Sequence, residues 1–288
     1  MSKLLEKLQN RVQGDLLFDT FSRGRYATDA SLYQMMPLGE LSPKSEDDIR
    51  AALDTATEQG VPILARGGGT SQCGQTVNEA LVLDNTQYFN DILELDVENQ
   101  RCVVRPGIVL DELNRALKPH GLWFPVDVST ASRATIGGMA GNNSCGGKSL
   151  RYGMMRDNVL SIDAFLADGS KHTFGSNGAA ASPTYTELSN DLLSLGSREA
   201  LEIDARFPKV MRRVGGYNID ALVPKNTPNN LAHLLVGSEG TLAYSTAIEL
   251  KLWPLVSEKV LGVCHFPTFY QAMDAAQHLV KLKPQGVE

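Results

Sequence analysis

The run Arg66-Gly67-Gly68-Gly69-Thr70-Ser71-Gln72-Cys73-Gly74 directly follows the apolar residues 61–65, so a short strand empties into a loop almost stripped of side chains. Three adjacent glycines leave their amides unshielded and permit positive φ, which lets successive N–H groups converge on the oxygens of an anion. Thr70 and Ser71 add hydroxyl donors, and Arg66 adds charge. A second glycine-rich stretch runs from Thr135 to Gly147, and a third, Gly237-Ser238-Glu239-Gly240-Thr241, follows. Three separated loops of this kind imply one large phosphate-bearing cofactor. The contiguous triplet does not meet the G-x-G-x-x-G spacing that opens a helix in the dinucleotide fold.

Other residues with chemical capacity lie between these loops. Asp127, Ser129 and Thr130 follow Pro125 in a stretch whose plain alternative is a turn. Arg212, Arg213, Tyr217 and Asn218 offer two guanidinium groups able to hold a carboxylate bidentately, with exposed surface arginine as the plain alternative. Glu239 is a glycine-hinged carboxylate that either meets a cofactor or caps nearby amides. The five histidines, at 120, 172, 233, 265 and 278, share no ligand spacing, and the four cysteines, at 73, 102, 145 and 264, form no C-x-x-C pair. No metal is expected. Cys73 and Cys145 near the loops read as small buried hydrophobes.

The elements that position these residues follow from periodicity. Ser45 is the expected N-cap of a helix that carries Ile49, Leu53 and Ala56 on one face and stops at Gly60. Strand patterns occupy 61–65, 81–84, 92–95 and 102–105, with a hairpin loop at 96–100. An amphipathic helix is expected over 109–120 with Gly121 as its stop, and a hairpin over 159–174 turning at Asp168-Gly169. Residues 176–183 read as a surface loop, 188–207 as helix and 242–252 as strand. Beyond 258 a strand pattern, 260–266, precedes a helix pattern, 268–282; a lone strand and helix have no core of their own, so they read as the cut-short start of a second domain.

The chain has 288 residues, 42% of them hydrophobic, enough for a substantial core. Its net charge of −6 argues against a nucleic-acid partner held by a general basic surface. The N-terminus lacks the apolar region of a secretory signal, and no stretch approaches the ~20 apolar residues of a membrane helix. The cysteine usage fits a reduced, cytoplasmic setting, with peripheral attachment at the inner face of a membrane left open.

Six blocks in order resemble the FAD-binding domain of the vanillyl-alcohol oxidase and para-cresol methylhydroxylase superfamily. They are residues 66–71, 125–127, 134–138, 151–153 with 156–158, 167–169 and 237–242. Within that superfamily the chain looks most like FAD-linked D-2-hydroxy-acid dehydrogenases acting on D-lactate or D-2-hydroxyglutarate. Residues 212–218 and 142–147 are similar to the long bacterial type that carries a C-terminal iron–sulfur domain. The likeness spans about residues 20 to 282, and the missing cap and cluster cysteines make the sequence look like an N-terminal part.

The resemblance implies an α+β fold: an N-terminal segment (1–40), an FAD-binding domain (41–255, in subdomains 41–110 and 111–255) and the start of a ferredoxin-like cap (256–288). It implies non-covalent FAD held by Arg66, Gly67, Gly68, Gly69, Thr70, Ser71 and Gly74 at the pyrophosphate. Asp127, Ser129, Thr135, Gly138, Asn142, Ser144, Tyr152, Glu239, Gly240 and Ile248 supply further contacts, Ile248 through backbone beside the adenine. Arg212, Arg213, Tyr217 and Asn218 are candidates to face the flavin or an acid substrate. The catalytic base is left unassigned, because the resemblance puts the catalytic histidines in the cap, beyond Glu288. The implied reaction oxidises a small D-2-hydroxy acid by hydride transfer to flavin N5, with an iron–sulfur domain, a quinone or an electron carrier as acceptor. The alternatives are a binding-only or inactive FAD fragment and a different reductase or oxidase on the same scaffold.

Overall fold

The computed structural model describes residues 3–176, 182–225 and 228–287. Among the described residues, eleven strands are arranged in two main sheets and a two-stranded ribbon. The first sheet contains β1 (Asp15–Leu17), β2 (Gly39–Ser42), β3 (Ile63–Arg66) and β4 (Leu81–Asp84) in the order β1-β2-β4-β3. β2 and β3 both run parallel to β4, and β1 pairs antiparallel with β2. A central parallel strand is covered on both faces, which accounts for the wholly buried Leu-Val-Leu-Asp of β4.

The crossover between β2 and β3 is the helix Glu46–Gln59. Ser45 Oγ accepts from the amide of Asp48, and Gly60 closes the helix at φ 63°. Ile49 and Ala52 are buried with Leu41, Leu81 and Leu83 in one core. The second, antiparallel sheet is built from β5 (Ile92–Asp96), β6 (Arg101–Val104), β8 (Val159–Phe165), β9 (Lys171–Gly175) and β10 (Tyr244–Lys251), in the order β5-β6-β10-β8-β9. β7 (Leu122–Trp123) and β11 (Trp253–Pro254) form the ribbon. The larger core lies under this second sheet, where Leu113 and Leu117 of the helix Leu110–Leu117 meet Val104, Ile162, Ile248 and Leu250.

The sheets divide between Asp84 and Ile92, ahead of the expected division at 110, because the β5–β6 hairpin pairs with β10. Of the expected N-terminal segment, residues 15–17 and 39–40 are built into strands of the first sheet. The 188–207 helix forms as two, Pro183–Arg198 and Ala200–Arg206, and it starts early because Ser182 caps it and Pro183 occupies its first turn. Of the expected loop at 176–183, residues 177–181 lie outside the described residues. The expected strand at 260–266 does not form. Val260 and Leu261 are 98% and 88% exposed, with no neighbouring strand to take up their backbone groups. The helix Phe269–Leu279 does form, capped by Thr268, and buries none of its residues.

Two links fix the first sheet against the second. Glu46 accepts from Arg105 at 2.7 Å and from Lys171 at 2.6 Å. Tyr244 of β10 donates its hydroxyl to Asn85, one residue past β4, at 2.7 Å.

Candidate functional site

β3 and β4 end side by side, with Arg66 in register with Asp84. Here the chain opens a solvent-facing cleft. Its walls bring together the three glycine loops: Arg66, Gly67 and Ser71 from the first, Thr135, Gly137, Gly138 and Gly141 from the second, Ser238, Glu239 and Gly240 from the third. Segments some seventy and a hundred residues apart thus share one cavity.

The first loop has an unusual donor inventory. Among the described residues, none of the six consecutive amides from Gly67 to Gln72 donates to another group of the chain. Backbone donors are otherwise nearly always paired, so a run of six at a cleft is equipped to receive an oxyanion. The glycines are needed for close approach. A Cβ on Gly67 would fall on Thr135 Oγ1, one on Gly68 on the carbonyl of Arg133, and one on Gly137 would lie 2.6 Å from the Pro106 side chain. Gly69 and Gly74 adopt φ 62° and 79°. Thr135 caps the helix Ile136–Gly141 through a bond from the amide of Gly138.

Arg66 reaches the cleft, but its side chain is occupied elsewhere. The guanidinium is buried and donates to the carbonyls of Tyr26 (3.1 Å), Thr28 (2.6 Å) and Thr76 (2.8 Å). The charge expected for the anion therefore straps residues 26–28 to the loop. Glu239 holds φ 54°, and its amide donates to the carbonyl of Gly141. Desolvation at the cleft raises its carboxyl above the usual range, against a hydrogen bond from Gln75.

Several other expected contacts do not line the cleft, each for a visible reason. Gly68, Gly69, Thr70 and Gly74 shape the loop without forming the wall; Tyr33 rests against the Gly74 backbone. Asp127 accepts from the Lys148 amide and anchors the second loop from behind, while Ser129 is exposed on a turn. Asn142 and Ser144 bond to each other at 2.7 Å. Tyr152 is buried edge-on between Trp123 and Trp253, with ring centroids at 5.5 and 5.1 Å. Ile248 is fully buried in the central strand, and its backbone stands in register between Val104 and Ile162.

The arginine segment braces the third loop. Tyr217 Oη lies 2.7 Å from Thr241 Oγ1, and Asn218 donates to the carbonyl of Val236 at 2.7 Å. Arg213 and Arg156 grip Asp220 at 2.7 and 3.0 Å, and hold its carboxyl low against the burial that would raise it. Arg212 is exposed. The expected catalytic base, placed beyond Glu288, falls outside the described residues, as Glu288 itself does. The cleft also takes in residues that sequence reading passed over: Gln75, Thr76, Asn85, Pro106, Ile162, Ala243 and Ser245. The signal available for Asn85 was its place immediately after β4, beside the strand that feeds the glycine loop.

Residues 37–175 match a family described as an FAD binding domain. The chain is 34% identical, over 99% of its length, to the D-2-hydroxyglutarate dehydrogenase of Pseudomonas putida, of which it spans 30%. For the D-2-hydroxyglutarate dehydrogenase of Escherichia coli the identity is 30%, over 99% of this chain and 29% of that protein. With the D-lactate dehydrogenase of Archaeoglobus fulgidus it is 31%, over 86% of this chain and 46% of that one. The chain thus spans less than a third of the D-2-hydroxyglutarate dehydrogenases it matches. Among solved structures, an alkyldihydroxyacetonephosphate synthase superposes with a TM-score of 0.70 at 19% identity, covering 99% of this chain and 48% of the other. The BBE-like 1 protein of Physcomitrella patens gives 0.61 at 18% identity, over 88% and 45%. These two share the fold.

Proposed function

We propose that this chain, whose residues 37–175 match an FAD binding domain model, is the FAD-holding part of an oxidoreductase acting on D-2-hydroxy acids such as D-lactate or D-2-hydroxyglutarate. FAD is its cofactor, and the donors that the cleft and its glycine loops offer suit that group. The amides from Gly67 to Gln72 and the Ser71 hydroxyl take the pyrophosphate oxygens. Gly67 lets the first loop close on Thr135 of the second, so the two loops face a common space. Glu239 and Gly240 form the opposite wall. When bound, FAD supplies the acceptor for the hydride that leaves C2 of a 2-hydroxy acid.

The chain's own part in that chemistry is to bind, orient and shield. No residue is assigned as the base that takes the hydroxyl proton. Arg213 already serves Asp220, so it is not proposed as a substrate clamp. The reading divides the chain into an FAD-binding part up to about residue 255 and the beginning of a second domain after it. Binding is non-covalent in this reading: no histidine stands at the loops, and neither Cys73 nor Cys145 lines the cleft. The setting is cytoplasmic, with an iron–sulfur domain, a quinone or an electron carrier taking the electrons.

The observation that carries this reading is the run of six amides, Gly67 to Gln72, without an acceptor among the described residues, on a loop whose Gly67 and Ser71 line a cleft shared by all three glycine loops. The purified chain should take up FAD, show the flavin absorption bands and release the flavin on acid precipitation. Anaerobic addition of D-2-hydroxyglutarate or D-lactate to the loaded protein should bleach those bands. Failure to take up FAD would refute the site. Uptake without bleaching by any D-2-hydroxy acid would favour the binding-only alternative.

A further inference from the structure

Asn85 is 6% exposed, yet it lines the cleft. Its main chain is fully used: the amide donates to the Arg66 carbonyl at 3.1 Å, and its own carbonyl accepts from Phe89 at 3.1 Å. Its Oδ1 accepts from Tyr244 Oη at 2.7 Å. The Nδ2 group, with two hydrogens, has no acceptor among the described residues.

The orientation of this amide follows from the phenol. Tyr244 is itself buried, and Asn85 is its only hydrogen-bond partner among the described residues. A flipped amide would donate to Oη and leave the phenol proton buried without an acceptor, a cost of about 1–3 kcal/mol. Oδ1 therefore faces Tyr244, and Nδ2 is left for whatever fills the cleft.

The surroundings of Asn85 narrow the ligand group. Ile63 and Ala65 of β3, Ile162 of β8, and Pro106 and Ala243 give the same cleft the apolar part of its lining, beside polar residues that include Thr76, Thr135, Glu239 and Ser245. A phosphate finds its donors at the glycine loop. The apolar part, with polar groups beside it, suits a flat heteroaromatic ring that carries acceptor atoms.

We infer that Asn85 donates from Nδ2 to an acceptor atom in one of the ring systems of FAD, and that Tyr244 is the positioning residue that fixes the amide in this sense. The inference rests on the FAD reading, and the wild-type protein tests that premise separately.

The experiment is titration of FAD and of FMN into the purified chain, wild type and the variants Asn85→Asp, Asn85→Leu and Tyr244→Phe, with thermal melts of each protein before loading. Asn85→Asp keeps an acceptor for Tyr244 and loses both donors. It should bind FAD at least tenfold more weakly and regain affinity as pH falls, because a protonated carboxyl again has an O–H to give. Wild type should show no such recovery. Tyr244→Phe should weaken binding by a smaller factor, since the amide is then free to turn. Equal losses for FAD and FMN place the acceptor on the flavin ring, and a loss confined to FAD places it on the adenine. FAD affinity unchanged in Asn85→Asp and Tyr244→Phe overturns the inference, as does a lowered melting temperature in all three variants with wild-type affinity. Wild type that takes up no FAD refutes instead the functional reading beneath it.

Discussion

Glu40 is a carboxyl in the wrong solvent, and replacing it with glutamine should stabilise the protein in a pH-dependent way. It lies on β2 with no exposed surface; Oε1 accepts from Ser42 Oγ at 2.7 Å, and Oε2 has no partner among the described residues. Burial is the largest influence and raises the carboxyl from 4.5 to about 7; the Asp84 charge adds to the rise, while the Ser42 bond and Arg25 oppose it. The unfolded chain releases this proton near 4.5, so between 4.5 and 7 the native state holds a proton that the unfolded state has lost. Stability falls as pH climbs through that window and levels off above 7. The displacement corresponds to about 3 kcal/mol, at ~1.36 kcal/mol per decade. Glu40→Gln keeps the shape and the Ser42 contact but cannot ionise. It should exceed wild type by less than about 1 kcal/mol at pH 5 and by up to about 3 kcal/mol at pH 8, the latter a rise in Tm of roughly 6 °C or more for a chain of this size. Thermal unfolding of both proteins at the two pH values measures this. The same difference at pH 5 and pH 8, or a less stable variant at pH 8, would sink the reasoning.

Two further substitutions separate the loop's shape from its anchor. Gly67→Ala places a methyl on Thr135 Oγ1 and should lower FAD affinity at least tenfold; Gly67→Ala with Thr135→Ala should recover part of it, at about 1 kcal/mol lost from the helix cap. Titration of FAD into the single and double variants decides this, and wild-type affinity in Gly67→Ala would count against the close-approach argument. Arg66→Met removes a buried guanidinium from three carbonyls and should lose on the order of 3 kcal/mol of stability. Arg66→Lys should restore only part, because an ammonium lacks the planar fork. Unfolding by denaturant measures both, and an Arg66→Met protein as stable as wild type would mean the strap contributes nothing.

Local pattern and tertiary placement parted company at identifiable residues. Ser45, Gly60 and Gly121 act within a turn or two of themselves, so the ends of their helices could be read directly. The first glycine loop was legible for a related reason: missing side chains are a property of the sequence, and there the amides stay bare, whereas Gly137, Gly138, Gly237 and Glu239 of the other two loops give theirs to acceptors within the chain. What the sequence did not carry was the direction of the polar side chains beside those loops. Arg66 next to three glycines looks like an anion's counter-charge, yet the segment 26–28 lies across the loop and its carbonyls claim the guanidinium first. Tyr152 looks like a ring for a cofactor, but two tryptophans from the β7–β11 ribbon enclose it. The 260–266 pattern failed for the converse reason, since a strand needs a neighbour and none is placed beside it. Asn85 shows the limit most sharply. Its place after β4 sets it near the glycine loop, but its capacity to bind cannot be read there, because it comes from a tyrosine 159 residues later that takes its oxygen and leaves its nitrogen free. Whether a polar group serves structure or ligand is settled by how many of its hydrogen bonds the fold has already used.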